Sequence, residues 1–195
     1  MPLFTLEHSK SAYRADFALY AGASTALSLY LIFEAPHALR LELAALAMAG
    51  LAGWTLVEYG LHRFVLHGLP PFSTWHAEHH RRPTALICTP TVLSGSLIVL
   101  LVFLPALLLS DLWRASAVTC GMLIGYLGYT ITHHAIHHWR SDSAWLRKRR
   151  IWHALHHTPN GPAGHFGVTS AFWDYLLGSR QRAEGRLRWP GSGKS

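Results

Sequence analysis

Twelve of the fifteen histidines in this 195-residue chain fall between His62 and His157, in four groups. His62 and His67 have four residues between them, and His76, His79 and His80 form a His-x-x-His-His triplet. His133, His134, His137 and His138 close an apolar run, and His153, His156 and His157 repeat the triplet. On a helix, positions three and four apart face the same way. His76 is therefore expected to point with His79 and His80, His133 with His137, and His153 with His156 and His157. The register His134 with His138 has the same spacing and stays open. A neutral imidazole suits zinc, copper, iron or nickel. One tetrahedral structural zinc takes about four ligands, so about ten converging rings point to two metals with higher coordination. Metal storage or pH sensing fits rings fixed to helix ends in this pattern less well. His8 and His37 read as isolated residues without a ligand role, and the role of His165 is open.

The elements that must position these rings are apolar. Four stretches carry no charged residue: Phe17 to Phe33, Leu43 to Val57, Ala85 to Ser110 and Ala115 to Thr132. Half of the residues are hydrophobic, 14% are charged, and the mean hydropathy is +0.18. A membrane span needs about 20 mostly apolar residues, with roughly 17–25 acceptable. The second run is short unless Glu42 or Glu58 sits at the headgroup level, and its helical pattern continues to His67. Pro90 and Pro105 are expected to bend the third. Short links join runs one to two and three to four, which predicts two antiparallel helical hairpins. The N-terminus, the middle segment and the C-terminal third then share one side, which holds 15 of the 17 Lys and Arg. Only Arg40 and Arg114 lie opposite, so the histidine side is expected to be cytoplasmic. Both histidine clusters meet there because the second hairpin crosses the bilayer and returns.

Other readings are weaker. Cys88 and Cys120 both lie in apolar runs, so a disulfide scaffold is not expected. Gly121 and Gly125 form a small-xxx-small pair that predicts close helix packing within the bundle rather than a dimer face. The first run is expected to be a retained anchor, not a cleaved signal. The segment 181–195 reads as a flexible polar tail on a single domain of residues 1–180. Its Gly-Ser-Gly-Lys-Ser end lacks the first glycine of a phosphate loop, where Arg188 stands. A histidine-rich membrane metal-binding or transport protein is the alternative outside enzymes. Transport is disfavoured because the four runs hold no Asp, Glu, Lys, Arg or His to make a pathway. The pI of about 9.9 follows membrane topology, and no nucleic-acid recognition motif is present.

The ordered series His62-x4-His67, His76-x2-His79-His80, His133-x3-His137, His153-x2-His156-His157 resembles the fatty acid hydroxylase superfamily. The contexts Glu58-Tyr59-Gly60-Leu61-His62-Arg63-Phe64, Tyr129-x2-Thr132-His133 and Phe166-Gly167-Val168-Thr169-Ser170-x-Phe172-Trp173-Asp174 match as well. The last, with Leu177-Gly178-Ser179, is most similar to the fatty acid 2-hydroxylase and sterol desaturase branch. The resemblance covers about residues 50 to 180. It implies an all-α fold: four transmembrane helices, in two hairpins, beneath a cytosolic helical cap that holds a histidine-rich dimetal site. It implies as metal ligands His62, His67, His76, His79, His80, His133, His137, His153, His156 and His157, with His134 and His138 in the surroundings of the site. It implies two iron ions, which zinc is able to replace, and O2 as co-substrate. The reaction implied is hydroxylation of a lipid acyl chain, of a fatty acid or sphingolipid, at the 2-position. The runner-up within the family is a sterol or carotenoid hydroxylase or desaturase. A fused cytochrome b5 domain has no room in this chain, so a separate cytochrome b5- or ferredoxin-like donor is expected to supply electrons.

Three carboxylates, Glu58, Glu78 and Asp174, are the candidates to accept the outer ring N–H groups and fix tautomers. Trp75, Trp139, Trp152 and Trp173 are candidates for the entrance of a lipid chain or for interfacial anchoring. Arg81, Arg82 and the stretch Arg147 to Arg150 are expected to meet anionic headgroups or an acidic electron carrier.

Overall fold

The computed structural model describes residues 7–158 and 164–180. Among these the chain is helical, apart from one antiparallel backbone bridge between Glu7 and Ile87. The helices are α1 Lys10–Glu34, α2 Arg40–Gly60, α3 Phe72–Arg81, α4 Thr91–Ile98, α5 Leu104–Leu109, α6 Leu112–His138, α7 Ala144–His156 and α8 Phe172–Leu176. A π-helical turn, Leu61–Leu66, prolongs α2, and a second, Val99–Phe103, joins α4 to α5. The expected polar tail, 181–195, lies outside the described residues.

Four continuous helices are long and apolar enough to cross a membrane: Lys10–Glu34, His37–Leu66, Thr91–Leu109 and Leu112–His138. They depart from the uncharged runs at two informative places. The first helix starts earlier, where the Ser9 hydroxyl accepts the Ala12 N–H at 3.2 Å, a side-chain cap on an otherwise orphaned donor. Asp16 thereby becomes a helical residue, buried at 6% exposure. The third helix starts later than the run, at Thr91 after Pro90, whose missing N–H costs nothing at a helix start. Residues 85–90 run alongside the N-terminus instead, with His8 N–H donating to Leu86 O at 2.9 Å. Pro105 can neither donate to nor fit beneath the carbonyl of Leu101, and the wide π turn opens there.

Helix α6 is the central post. Of its most apolar stretch 61% is buried, against 17, 22 and 6% for the other three spans, which present Leu19, Ile32, Met48, Leu101 and Leu108 outward. An exterior of that kind belongs in lipid, and the chain is a multi-pass membrane protein. Packing of α2 on α6 depends on glycine. A Cβ on Gly121 would lie 1.9 Å from Ala47 O, and one on Gly50 2.2 Å from Val118 O. The Gly121/Gly125 pair thus works inside the bundle, with Gly125 beneath the Trp54 ring. Tyr20, Trp54, Ile98, Met122 and Tyr126 then bring all four spans into one core.

The bundle has two chemically different ends. At one, Arg114 of α6 donates to both oxygens of Glu42 of α2, at 2.6 and 3.0 Å, and pairs with Asp111. At the other, the π turn after α2 and the last turn of α6 meet α3 and α7, and every clustered histidine is there.

Candidate metal centre

Two groups of imidazoles stand side by side at that end. His62, His67, His76, His80 and His156 form one, and His79, His133, His137 and His153 the other; within each, the ring nitrogens lie within 4.8 Å of one another. The π turn and the residue after it supply His62 and His67 to the first group, and α6 supplies His133 and His137 to the second. Helices α3 and α7 serve both. Each triplet is divided: His76 and His80 face one group while His79 faces the other, and His156 is separated from His153. The expected common direction of each triplet is corrected accordingly. Rings three apart on a helix diverge enough to reach adjacent centres, whereas rings four apart converge. His157 sits at the seam, its Nε2 2.9 Å from that of His153 and its ring flat against His80 at 4.0 Å.

The nitrogens face one another in a way that hydrogen bonds alone do not satisfy. In the first group Nε2–Nε2 separations are 3.0 Å for His62–His76, His76–His80 and His67–His156, and 3.1 Å for His80–His156. His62 Nδ1 donates to Phe166 O at 2.5 Å and His156 Nδ1 to Gly164 O at 2.8 Å. A neutral ring has one N–H, so both rings turn a bare lone pair inward. Alternation of donor and acceptor along His62, His76, His80 and His156 would require His156 Nε2 to donate, but its proton is already committed to Gly164. Protonating the ring is no escape, because burial and then neighbouring imidazoles push His156 down to about 3. A cation between the lone pairs resolves the conflict. The spacing agrees: ligands at right angles around an ion about 2.1 Å away lie about 3.0 Å apart, against about 3.4 Å in a tetrahedron.

The second group has the same character, with His137 and His153 Nε2 atoms 3.0 Å apart. His79, outside the spans, is likewise pushed down to about 3 by burial and then by His137, and neither of its ring nitrogens has a hydrogen-bond partner among the described residues. His134 and His138 stack on each other at 4.5 Å, and His134 Nδ1 meets the Tyr13 hydroxyl at 3.2 Å, so this pair lies outside both groups.

The three carboxylates do not act as expected. No hydrogen bond among the described residues joins Glu58, Glu78 or Asp174 to a ring nitrogen; backbone carbonyls of a loop take the ring protons of His62 and His156 instead. Glu58 and Asp174 hold that loop. Glu58 accepts from Val168 N at 2.6 Å, Thr169 N at 2.9 Å and the Thr169 hydroxyl. Asp174 accepts from Phe166 N at 2.9 Å, Gly167 N at 2.8 Å and Ser179 Oγ at 2.7 Å. A Cβ on Gly167 would meet Ser170 O at 1.8 Å, so only glycine allows the turn. Glu78 is engaged by Arg81 and Arg82 on the surface. His165, in the same loop with φ +59°, packs on Trp152 at 4.4 Å, outside both groups.

A cavity of about 100 Å³ adjoins the rings. His76, His79 and His133 line it together with Tyr13, Asp16 and Phe17 of α1. Of the four tryptophans considered, Trp75 lines it; Trp152 is buried, Trp139 is exposed, and Trp173 donates to Thr55 Oγ1 at 3.0 Å. Arg149, read as a surface charge, is buried with its guanidinium 5.8 Å from the Trp152 ring centre.

The sequence model of the fatty acid hydroxylase family matches residues 47–179. A dihydroceramide fatty acyl 2-hydroxylase of Arabidopsis thaliana is 32% identical over 149 residues, covering 71% of this chain and 61% of that protein. A ceramide very long chain fatty acid hydroxylase of Saccharomyces cerevisiae is 37% identical, over 67% of this chain and 36% of its own length. A fatty acid 2-hydroxylase of Rattus norvegicus is 31% identical, over 68% and 38%. The chain therefore spans between about one third and three fifths of these curated relatives. The solved structure of full-length Scs7p, in which only the hydroxylase domain is visible, superposes with a TM-score of 0.76 at 28% identity, covering 88% of this chain and 67% of that one.

Proposed function

This chain belongs to the fatty acid hydroxylase family, and from that premise we propose that it hydroxylates the acyl chain of a membrane lipid at the 2-position, using O2 and two iron ions. The observation that carries the reading is the pair of adjacent imidazole groups whose inward lone pairs lack protons to share. His62, His67, His76, His80 and His156 would hold one ion, and His79, His133, His137, His153 and His157 the other. Iron bound there would supply the activation of O2, which takes two electrons and two protons from outside and two electrons from the C–H bond, leaving one oxygen atom on the acyl carbon and the other in water. The remaining work belongs to the protein. Gly164 and Phe166 carbonyls hold His156 and His62 in the Nδ1–H tautomer, with Glu58 and Asp174 keeping those carbonyls in place. Tyr129 and Phe17 shape an apolar approach from the lipid side that limits water at the reacting carbon.

The basic residues support a cytoplasmic site: Arg63, Arg81, Arg82 and Arg147 to Arg150 lie at the histidine end, and Arg40 and Arg114 at the other. Two electrons per turnover come from a separate donor protein of the cytochrome b5 or ferredoxin kind. The test compares cells expressing the protein or its His156→Ala form. The protein is expected to yield 2-hydroxylated acyl lipid, and the variant none. Identical lipid profiles, with the protein present and iron-loaded, overturn the reading.

A further inference from the structure

Part of the wall of the cavity that the histidines line comes from α1, outside the segment 47–179 that matches the family. It carries a carboxylate where a lipid chain would call for hydrocarbon. Asp16 is 6% exposed, and its Oδ1 accepts from Thr91 Oγ1 at 2.6 Å. Thr91 supplies its one hydrogen bond among the described residues, although a carboxylate offers about four acceptor positions. Asp16 is also on the cavity surface, so its remaining acceptor capacity is available to a guest. It lies near the depth of the metal-binding rings, since Tyr13, one turn earlier, bonds to His134 of α6 at 3.2 Å.

We propose that Asp16 is a specificity-determining residue, accepting a hydrogen bond from an uncharged donor on the lipid, an amide N–H or a hydroxyl next to the acyl chain. This rests on reading the chain as an acyl-chain hydroxylase. A free fatty acid is the excluded alternative. An ionised fatty acid placed in the cavity meets charge repulsion from Asp16 and has no hydrogen to give it; only by taking up a proton does it become a donor. An N-acyl amide has both the donor and the neutrality.

The test uses the full chain, iron-loaded in detergent or nanodiscs and supplied with O2 and a reduced cytochrome b5- or ferredoxin-like donor, with N-hexadecanoylsphinganine and hexadecanoic acid as probes. The protein should oxidise the amide in preference to the acid. Asp16→Asn should lower that preference at least about 10-fold, the scale of one hydrogen bond to a charged group. Thr91→Val, which removes the hydroxyl orienting the carboxylate, should lower it several-fold and keeps the question answerable if Asp16→Asn does not accumulate. On metal-free protein the amide should raise Tm, and this shift should shrink in Asp16→Asn. An unchanged amide-to-acid ratio in both variants overturns the role of Asp16 while leaving the hydroxylase reading intact. A Tm response that depends on Asp16, with neither lipid oxidised by the unaltered protein, supports the binding role and removes the proposed reaction instead.

Discussion

Glu58 and His62 lie one helical turn apart and hold the same loop from opposite polarity: the carboxylate accepts the N–H groups of Val168 and Thr169, while the imidazole donates to Phe166 O. The loop reaches its tautomer-fixing position only if both contacts form. Glu58→Ala should leave buried amide donors unsatisfied at a cost of about 1–3 kcal/mol each, and should lower metal affinity by about 10- to 100-fold. Glu58→Gln keeps one acceptor oxygen and should recover part of both. Metal per chain, measured together with Tm, checks this; full occupancy in the alanine form would refute it.

Ligand register is open to a direct comparison. His133→Ala should lose metal and product, whereas His134→Ala, whose ring contacts among the described residues are with Tyr13, Phe17, His138 and Trp139, should keep both ions bound. Metal loss in the second variant alone would reverse the assignment.

The α2–α6 contact makes a sharp stability prediction. Gly121→Ala drives a methyl into backbone at 1.9 Å, where neither helix can yield locally, and should cost about 3 kcal/mol or more. Gly128, with nothing within 4 Å of its virtual Cβ, is the control. Gly128→Ala should be neutral or stabilising by up to about 1 kcal/mol through helix propensity. Equal melting temperatures for the two variants would contradict the packing.

Acid should weaken the metal-free protein in a defined window. Burial holds His79 and His156 at about 3 and His80 at about 4, against about 6.5 in an unfolded chain. Between those values the unfolded chain binds more protons, so stability rises with pH there. It is fully present above about 6.5 and is lost progressively as pH falls toward 4. Tm recorded from pH 8 down to pH 4 should decline below about 6.5, and a flat profile would show that these rings are not buried.

Much of the architecture was legible because it rests on local rules. Charge-free runs mark helices that must be covered by lipid, and His-x3-His spacing brings two rings together. What escaped depends on backbone that composition does not encode. Five residues apart on an α-helix, His62 and His67 would diverge by about 140°; the π turn Leu61–Leu66 turns them back until their rings are 5.3 Å apart. The acceptors for His62 and His156 are carbonyls, which every residue carries, so no residue type announced them. The carboxylates pointed to the right region but to the wrong contact. The uncharged run begins at Phe17 and leaves Asp16 outside it, whereas the cap at Ser9, not hydropathy, decides where α1 starts.

Helices α3 and α7 each reach into both imidazole groups from one rigid surface, so capture of an ion at either locus freezes the scaffold of its neighbour. Loading should then be cooperative: metal titrated into empty protein is expected to distribute as filled and vacant molecules, with few holding a single ion.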